Sequence, residues 1–197
     1  MNDHYRTIAD RCEFRQKIER SEFLGLAFPV ASEEEFHSEL LRVQKQYFDA
    51  THHCWAFRLF TGERSRSSDA GEPGGTAGKP IAMAIEGAGL YDVAIIVVRW
   101  FGGIKLGTGG LGRAYGSTAA AALRGATIAD RFLYSPVIVT APFSRLNDLY
   151  RLIDPPHVLL RSEEFADVNR FTFEVRSSRL QEFVRGLTER RLEHRAG

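Results

Sequence analysis

Cysteine is scarce in this chain: Cys12 and Cys54 are the only two. A disulfide framework is therefore excluded, and neither residue sits in the paired spacing of a structural zinc site. A reducing, cytoplasmic setting is the expectation, with no metal and no cofactor. Long apolar runs are missing too. The densest, Val93 to Val98, is far shorter than the roughly 20 residues that cross a bilayer, so no membrane partner is expected. The opening Met1-Asn2-Asp3-His4-Tyr5-Arg6 leads into charge instead of the apolar core of a secretory signal, which argues against export. A large charge imbalance is also lacking: the formal net charge is +1, so global charge does not announce a nucleic-acid binder. Two local scarcities say more. Only four lysines stand against 22 arginines, and residues 93 to 129 contain no Asp or Glu.

What is present is an ordinary globular composition, 44% hydrophobic and 26% charged over 197 residues, enough for two small domains each with its own core. A boundary is expected before Tyr134-Ser135-Pro136, giving domains 1–133 and 134–197. In the first, Cys12 to Val30 alternates loosely and suits a hairpin or a long bent strand. Ser32 and Glu35 form a capping box, and Phe36, Leu40, Val43 and Tyr47 recur at helical spacing. His52 to Phe60 reads as a strand, and residues 62 to 80 as a long loop of glycine, proline, serine and charge. Val93 to Trp100 lacks alternation and is rich in β-branched residues, as expected of a central strand buried on both faces. Six glycines between Gly102 and Gly112 follow, then an alanine-rich helix from about Arg113 to Arg124.

The second domain reads as βαββα with a short final strand near Leu192, an order that suggests a ferredoxin-like unit. Its elements are a strand at Val137 to Thr140, a helix carrying Leu146, Leu149, Tyr150 and Ile153, strands near His157 to Arg161 and Phe171 to Val175, and a last helix. Ser178 and Gln181 are expected to cap that helix, with Leu180, Phe183, Val184 and Leu187 on one face.

Chemistry concentrates between Ser67 and Tyr115. A strand, a glycine-rich loop and a helix start can offer backbone N–H groups to an anion. Arg99, Lys105 and Arg113 supply positive charge there, and Lys79 joins them from the preceding loop. Gly107-Thr108-Gly109-Gly110-Leu111-Gly112 satisfies G-x-G-x-x-G, yet it does not follow a strand directly as a dinucleotide fold requires. Gly78-Lys79 falls short of a phosphate-binding P-loop because Pro73 and Pro80 occupy required positions. Asp69 and Glu72 suit an acid/base pair, ligands for a hard cation, or caps on backbone donors. His52, His53 and Cys54 lie on one strand, so His53 points away from the other two and three convergent metal ligands are not available.

Ser68-Asp69-Ala70-Gly71-Glu72-Pro73-Gly74-Gly75-Thr76-Ala77-Gly78-Lys79-Pro80, the run Val97 to Tyr115, and His52-His53-Cys54-Trp55-Ala56 together resemble the signatures of the IMPACT/YigZ family. The resemblance implies an α+β chain. Its first domain would be ribosomal protein S5 domain 2-like, and its second ferredoxin-like, similar to the last domain of elongation factor G. Eukaryotic members of that family act in translational control, through an additional N-terminal domain for which this chain has no room. For the bacterial-type pattern the resemblance implies binding to RNA or the ribosome. Where the family usually has a second acid after Asp69, this chain has Ala70.

The leading expectation is thus a non-catalytic, translation-associated binding protein. Its phosphate contacts would be Lys79, Arg99, Lys105, Gly107, Thr108, Gly109, Gly110 and Arg113, with Trp100, Phe101 or Tyr115 available for stacking. His52, His53, Asp69, Gly71, Glu72, Thr76 and Gly78 form the accompanying motif loop. Two alternatives remain: a protein-docking module, and an enzyme acting on a small anionic ligand. The enzyme reading expects a concave pocket between residues 67–80 and 102–112, whereas the RNA reading expects a flat basic face.

Overall fold

The structure, a computed structural model, describes residues 3–196. The chain divides into two compact units: residues 5–130, and residues 131–196 joined by 3 and 4. This differs from the sequence expectation of a cut after residue 133. Residues 3 and 4 go with the second unit because the Asp3 carbonyl accepts from Leu133 N–H at 2.8 Å, and the Asp3 carboxylate is held by Arg176 and the Ser178 N–H.

From His4 to Phe132 the elements run β1 (His4–Ile8), β2 (Cys12–Ile18), β3 (Ser21–Pro29), α1 (Glu33–Gln46), β4 (His52–Arg58), β5 (Ser65–Ser68), α2 (Gly78–Ala88), β6 (Val93–Trp100), α3 (Gly107–Arg124) and β7 (Ile128–Phe132). Strands β1 and β7 pair as a two-stranded ribbon, and the main sheet has the order β2-β3-β6-β4-β5. All four pairings of that sheet are antiparallel. Strand β6 is its centre, and its unbroken hydrophobicity has a simple cause. Val93, Ile95 and Val97 pack with α2 and α3, while Ala94, Ile96 and Val98 pack with α1.

Helix α1 starts as its sequence dictates: Ser32 Oγ accepts from Glu35 N–H, and the Glu35 carboxylate accepts from Ala31 N–H. Phe36 and Val43 are its buried anchors, and full burial of such side chains contributes about 1.5–3 kcal/mol each. The expected long loop at 62 to 80 is interrupted by β5, an edge strand paired with β4. The helix expected from Arg113 begins instead at Gly107, so four of the glycines lie in its first two turns.

The second unit contains β8 (Tyr134–Thr140), α4 (Leu146–Tyr150), β9 (Val158–Glu164), β10 (Arg170–Arg176), α5 (Leu180–Glu189) and β11 (Glu193–Ala196). Its sheet has the order β11-β8-β10-β9. Val137, Val139, Phe171, Phe173 and Val175 form its core with Leu149, Phe183 and Leu187 from the helices. The expected Ser178–Gln181 capping box does not form. Ser178 lies in a short 3-10 turn ahead of α5, and its N–H donates to the Asp3 carboxylate at 2.9 Å, so an acid from the far end of the chain takes the cap's place.

Candidate functional site

Period-two alternation builds the floor of the site. Along β6, Arg99 shares the parity of Val93, Ile95 and Val97, so it points toward the face that carries α2 and α3. His52 and Phe23 lie opposite Arg99 on the two flanking strands. His52 and Cys54 share that face, and His53 lies on the other, where its Nε2–H donates to the Tyr47 carbonyl at 3.1 Å. Burial lowers the His53 pKa from its ordinary value.

The motif loop is laced by its first acid. Asp69 accepts three backbone N–H bonds, from Gly75 and Ala77 at 2.8 Å and Gly78 at 2.9 Å. Burial raises this carboxyl, and the three donors outweigh burial and hold it below the ordinary aspartate value. With both oxygens engaged, Asp69 satisfies backbone donors of its own loop and of the start of α2. Thr76, buried, donates to the Pro73 carbonyl at 2.6 Å. Gly78 is required by a close approach: a Cβ there would lie 2.8 Å from the Ser68 backbone. Ala70 has a φ of 44°, and its carbonyl accepts from His52 Nδ1–H at 2.9 Å. Gly71, at a φ of 88°, lies beneath the same ring.

The loop delivers Glu72 to the floor, where its side chain is only 4% exposed. Glu72 Oε1 accepts from Arg99 at 2.5 Å and from the Tyr115 hydroxyl at 2.7 Å, with His52 Nε2 at 3.9 Å. Arg99 also donates to Ser21 Oγ at 3.2 Å, while its buried Nε has no partner among the described residues. Tyr115 is fully buried and meets Phe23 edge-on at 5.3 Å; burial raises its hydroxyl well above the ordinary tyrosine value. Cys54, also fully buried, donates to the Asp69 carbonyl at 2.9 Å. Burial pushes its thiol up to about 12, so it is not a nucleophile near neutral pH.

Above this floor lies a cleft of ≈ 410 Å³. Thr51, His52, Glu72, Pro73 and Arg99 line it together with Phe101, Lys105, Leu106, Gly107, Thr108 and Leu111. The first turn of α3 opens into it with no side-chain cap and no acid, so N–H groups at Gly107 to Gly109 lack intrahelical partners and the helix dipole favours an anion. Lys105 and Thr108 are exposed at this mouth, and Phe101 presents 45% of its surface.

Sequence reasoning thus named residues that the structure sorts into three groups. His52, Glu72, Arg99, Lys105, Gly107 and Thr108 converge on the cleft, with Gly109 and Gly110 in the adjoining helix turn. Lys79 and Arg113 are exposed but do not line it. Tyr115, expected to be available to bases, is fully buried, does not line the cleft and donates to Glu72, whereas Arg99, expected to meet phosphate, lies in the cleft floor already paired with Glu72. Thr51, Pro73, Leu106 and Leu111 were missed. Among the described residues no three His, Cys, Asp or Glu side chains form a metal-binding group.

The fold and site define a two-unit α+β protein with a small, polar-floored cleft at one end of the five-stranded sheet. Residues 19–123 match the model of the Impact N-terminal domain, and the chain belongs to the IMPACT family. It is 45% identical over 147 residues to an IMPACT family member of Thermus thermophilus, covering 75% of this chain and 78% of the relative. The IMPACT family member YvyE of Bacillus subtilis is 30% identical over 94% of this chain and 86% of its own length. Among solved structures, one described only as a hypothetical protein superposes with a TM-score of 0.74 at 25% identity, covering 98% of this chain and 97% of the other.

Proposed function

We propose that this chain is a translation-associated regulatory binding protein of the IMPACT family, and that its cleft receives a phosphate-bearing segment of single-stranded RNA. The observation that carries this reading is the uncapped, acid-free first turn of α3 beside Lys105, opening into a cleft. The family resemblance supplies the link to translation and to the cytoplasm. The fold names belong to the same reading. Strand order β11-β8-β10-β9 in a βαββαβ unit supports a ferredoxin-like second domain, and the first would be S5 domain 2-like.

The site is a cleft and not the flat basic face expected of an RNA binder, so the proposal is confined to a single unpaired nucleotide. A cleft of ≈ 410 Å³ has the capacity of a small-ligand site, about 300–1,000 Å³, and it admits one splayed nucleotide rather than a duplex. The same concavity favours a second reading, a small phosphorylated or carboxylated ligand. Catalysis on such a ligand finds little support: Asp69 is consumed by the loop, and Cys54 and Tyr115 are held protonated by burial.

The test is binding of a labelled single-stranded RNA, and co-sedimentation with ribosomes, between about 50 and 200 mM salt. Affinity is expected to fall with salt, and Lys105→Ala to lower the slope of log K against log salt by about 1. Failure to bind RNA or ribosomes at the lowest salt would overturn the proposal.

A further inference from the structure

We infer that the cleft selects the base as well as the phosphate: Glu72 is a specificity-determining residue that reads the donor edge of one unpaired guanine. This rests on the RNA reading above and adds to it a base preference that phosphate contacts alone cannot produce.

An ionised carboxylate offers about four lone-pair sites, two on each oxygen. All of the hydrogen bonds and ion pairs of Glu72 among the described residues end on Oε1, from Arg99, from Tyr115 and, at 3.9 Å, from His52. Oε2 is left without a partner on a side chain that is 4% exposed and lines the cleft. Oε2 is reached from the cleft and is not sealed from water, so a ligand that displaces the water there must donate to it or leave an acceptor unpaired. Across the same small volume the α3 first turn and Lys105 ask for an anion, and Phe101, Pro73 and Leu111 supply apolar walls. The occupant that satisfies all three demands has a negative group, a flat apolar body and an N–H edge. A nucleotide has this form. Among the four RNA bases, guanine presents two adjacent donors, N1–H and the N2 amine, toward a single acceptor. Adenine and cytosine each pair one amine with an acceptor nitrogen, and uracil has one N–H flanked by two carbonyls.

The variant that tests this is Glu72→Gln. Arg99 and Tyr115 both donate, so the amide oxygen takes the Oε1 position and the NH₂ takes that of Oε2. An acceptor facing the base becomes a donor.

Binding is measured on oligouridylate and on the same oligomer carrying one guanosine, adenosine or cytidine. Wild type is expected to prefer the guanosine oligomer by about tenfold, the size of one good base-edge contact. Glu72→Gln is expected to abolish that preference while retaining salt-dependent binding. Free guanylate should also compete better than inosinate, which lacks the N2 amine; this comparison stands on wild type alone should the variant fold poorly. Equal affinity for all four oligomers, or equal competition by guanylate and inosinate, would overturn the inference and leave the RNA reading intact. Absence of binding to every oligomer would overturn both.

Discussion

At the scale of single residues, Asp69 shows how a carboxylate in a motif loop is spent on backbone. It satisfies three N–H groups, two of them at the start of α2. Asp69→Ala strands those donors and is expected to cost roughly 2–4 kcal/mol in urea unfolding, the sum of a lost cap and poorly paired part-buried amides. Asp69→Asn keeps an acceptor and should cost less. Because the folded carboxyl sits below its ordinary value, its stabilisation is complete above the unfolded pKa of about 3.9 and fades as pH falls through the lowered folded value. The gap between wild type and Asp69→Asn should therefore close in acid, and a gap unchanged by pH would show that charge is not its source. The sequence made Asp69 and Glu72 visible as a pair without separating their work. Glu72 finds Arg99, 27 positions on, and Tyr115, 43 positions on, and no local pattern reports such a meeting. One signal was available: Arg99 continues the parity of Val93, Ile95 and Val97, which marks it as a side chain turned inward.

At the scale of elements, the strands and α1 were legible because their signals are local: a capping box that forms, a β-branched run, and alternation. Helix α2 was not, because Gly78-Lys79-Pro80 reads as loop. Proline is tolerated in a first helical turn, and Gly89, at a φ of 65°, is the left-handed terminator; only the fold shows that the two belong to one helix. The start of α3 was hidden by its own glycines. Two glycines of α2 make contrasting predictions. Gly78→Ala places a Cβ 2.8 Å from the Ser68 backbone, so it should cost about 1–3 kcal/mol by overpacking. Gly87 has open space where its Cβ would be, so Gly87→Ala should stabilise by up to about 1 kcal/mol through helix propensity. Thermal unfolding of the two variants checks the pair; equal effects would mean that helix propensity, not the approach to β5, sets the role of Gly78.

At the scale of the whole molecule, the two units have separate cores, and composition together with the βαββα order made that division readable. The membership of residues 3 and 4 was not readable, because it depends on one buried acid reaching residues 173 to 175 positions away. Asp3 is 3% exposed. Hydrogen bonding from Arg176 holds its carboxyl far below the ordinary value against the opposing effect of burial, with help from Ser178. Its contribution is thus complete above a pH of about 3.9 and is lost only as pH falls through that low folded value. At neutral pH, Asp3→Asn removes the charge that pairs with Arg176 and should cost the second unit about 1.5–3 kcal/mol. The readout follows from where the tryptophans sit. Trp55 and Trp100 both belong to the first unit, so their fluorescence transition should stay in place while amide hydrogen exchange in β10 and α5 speeds up. If the tryptophan transition moves by the same amount, the two units unfold as one cooperative body and Asp3 stabilises the entire chain.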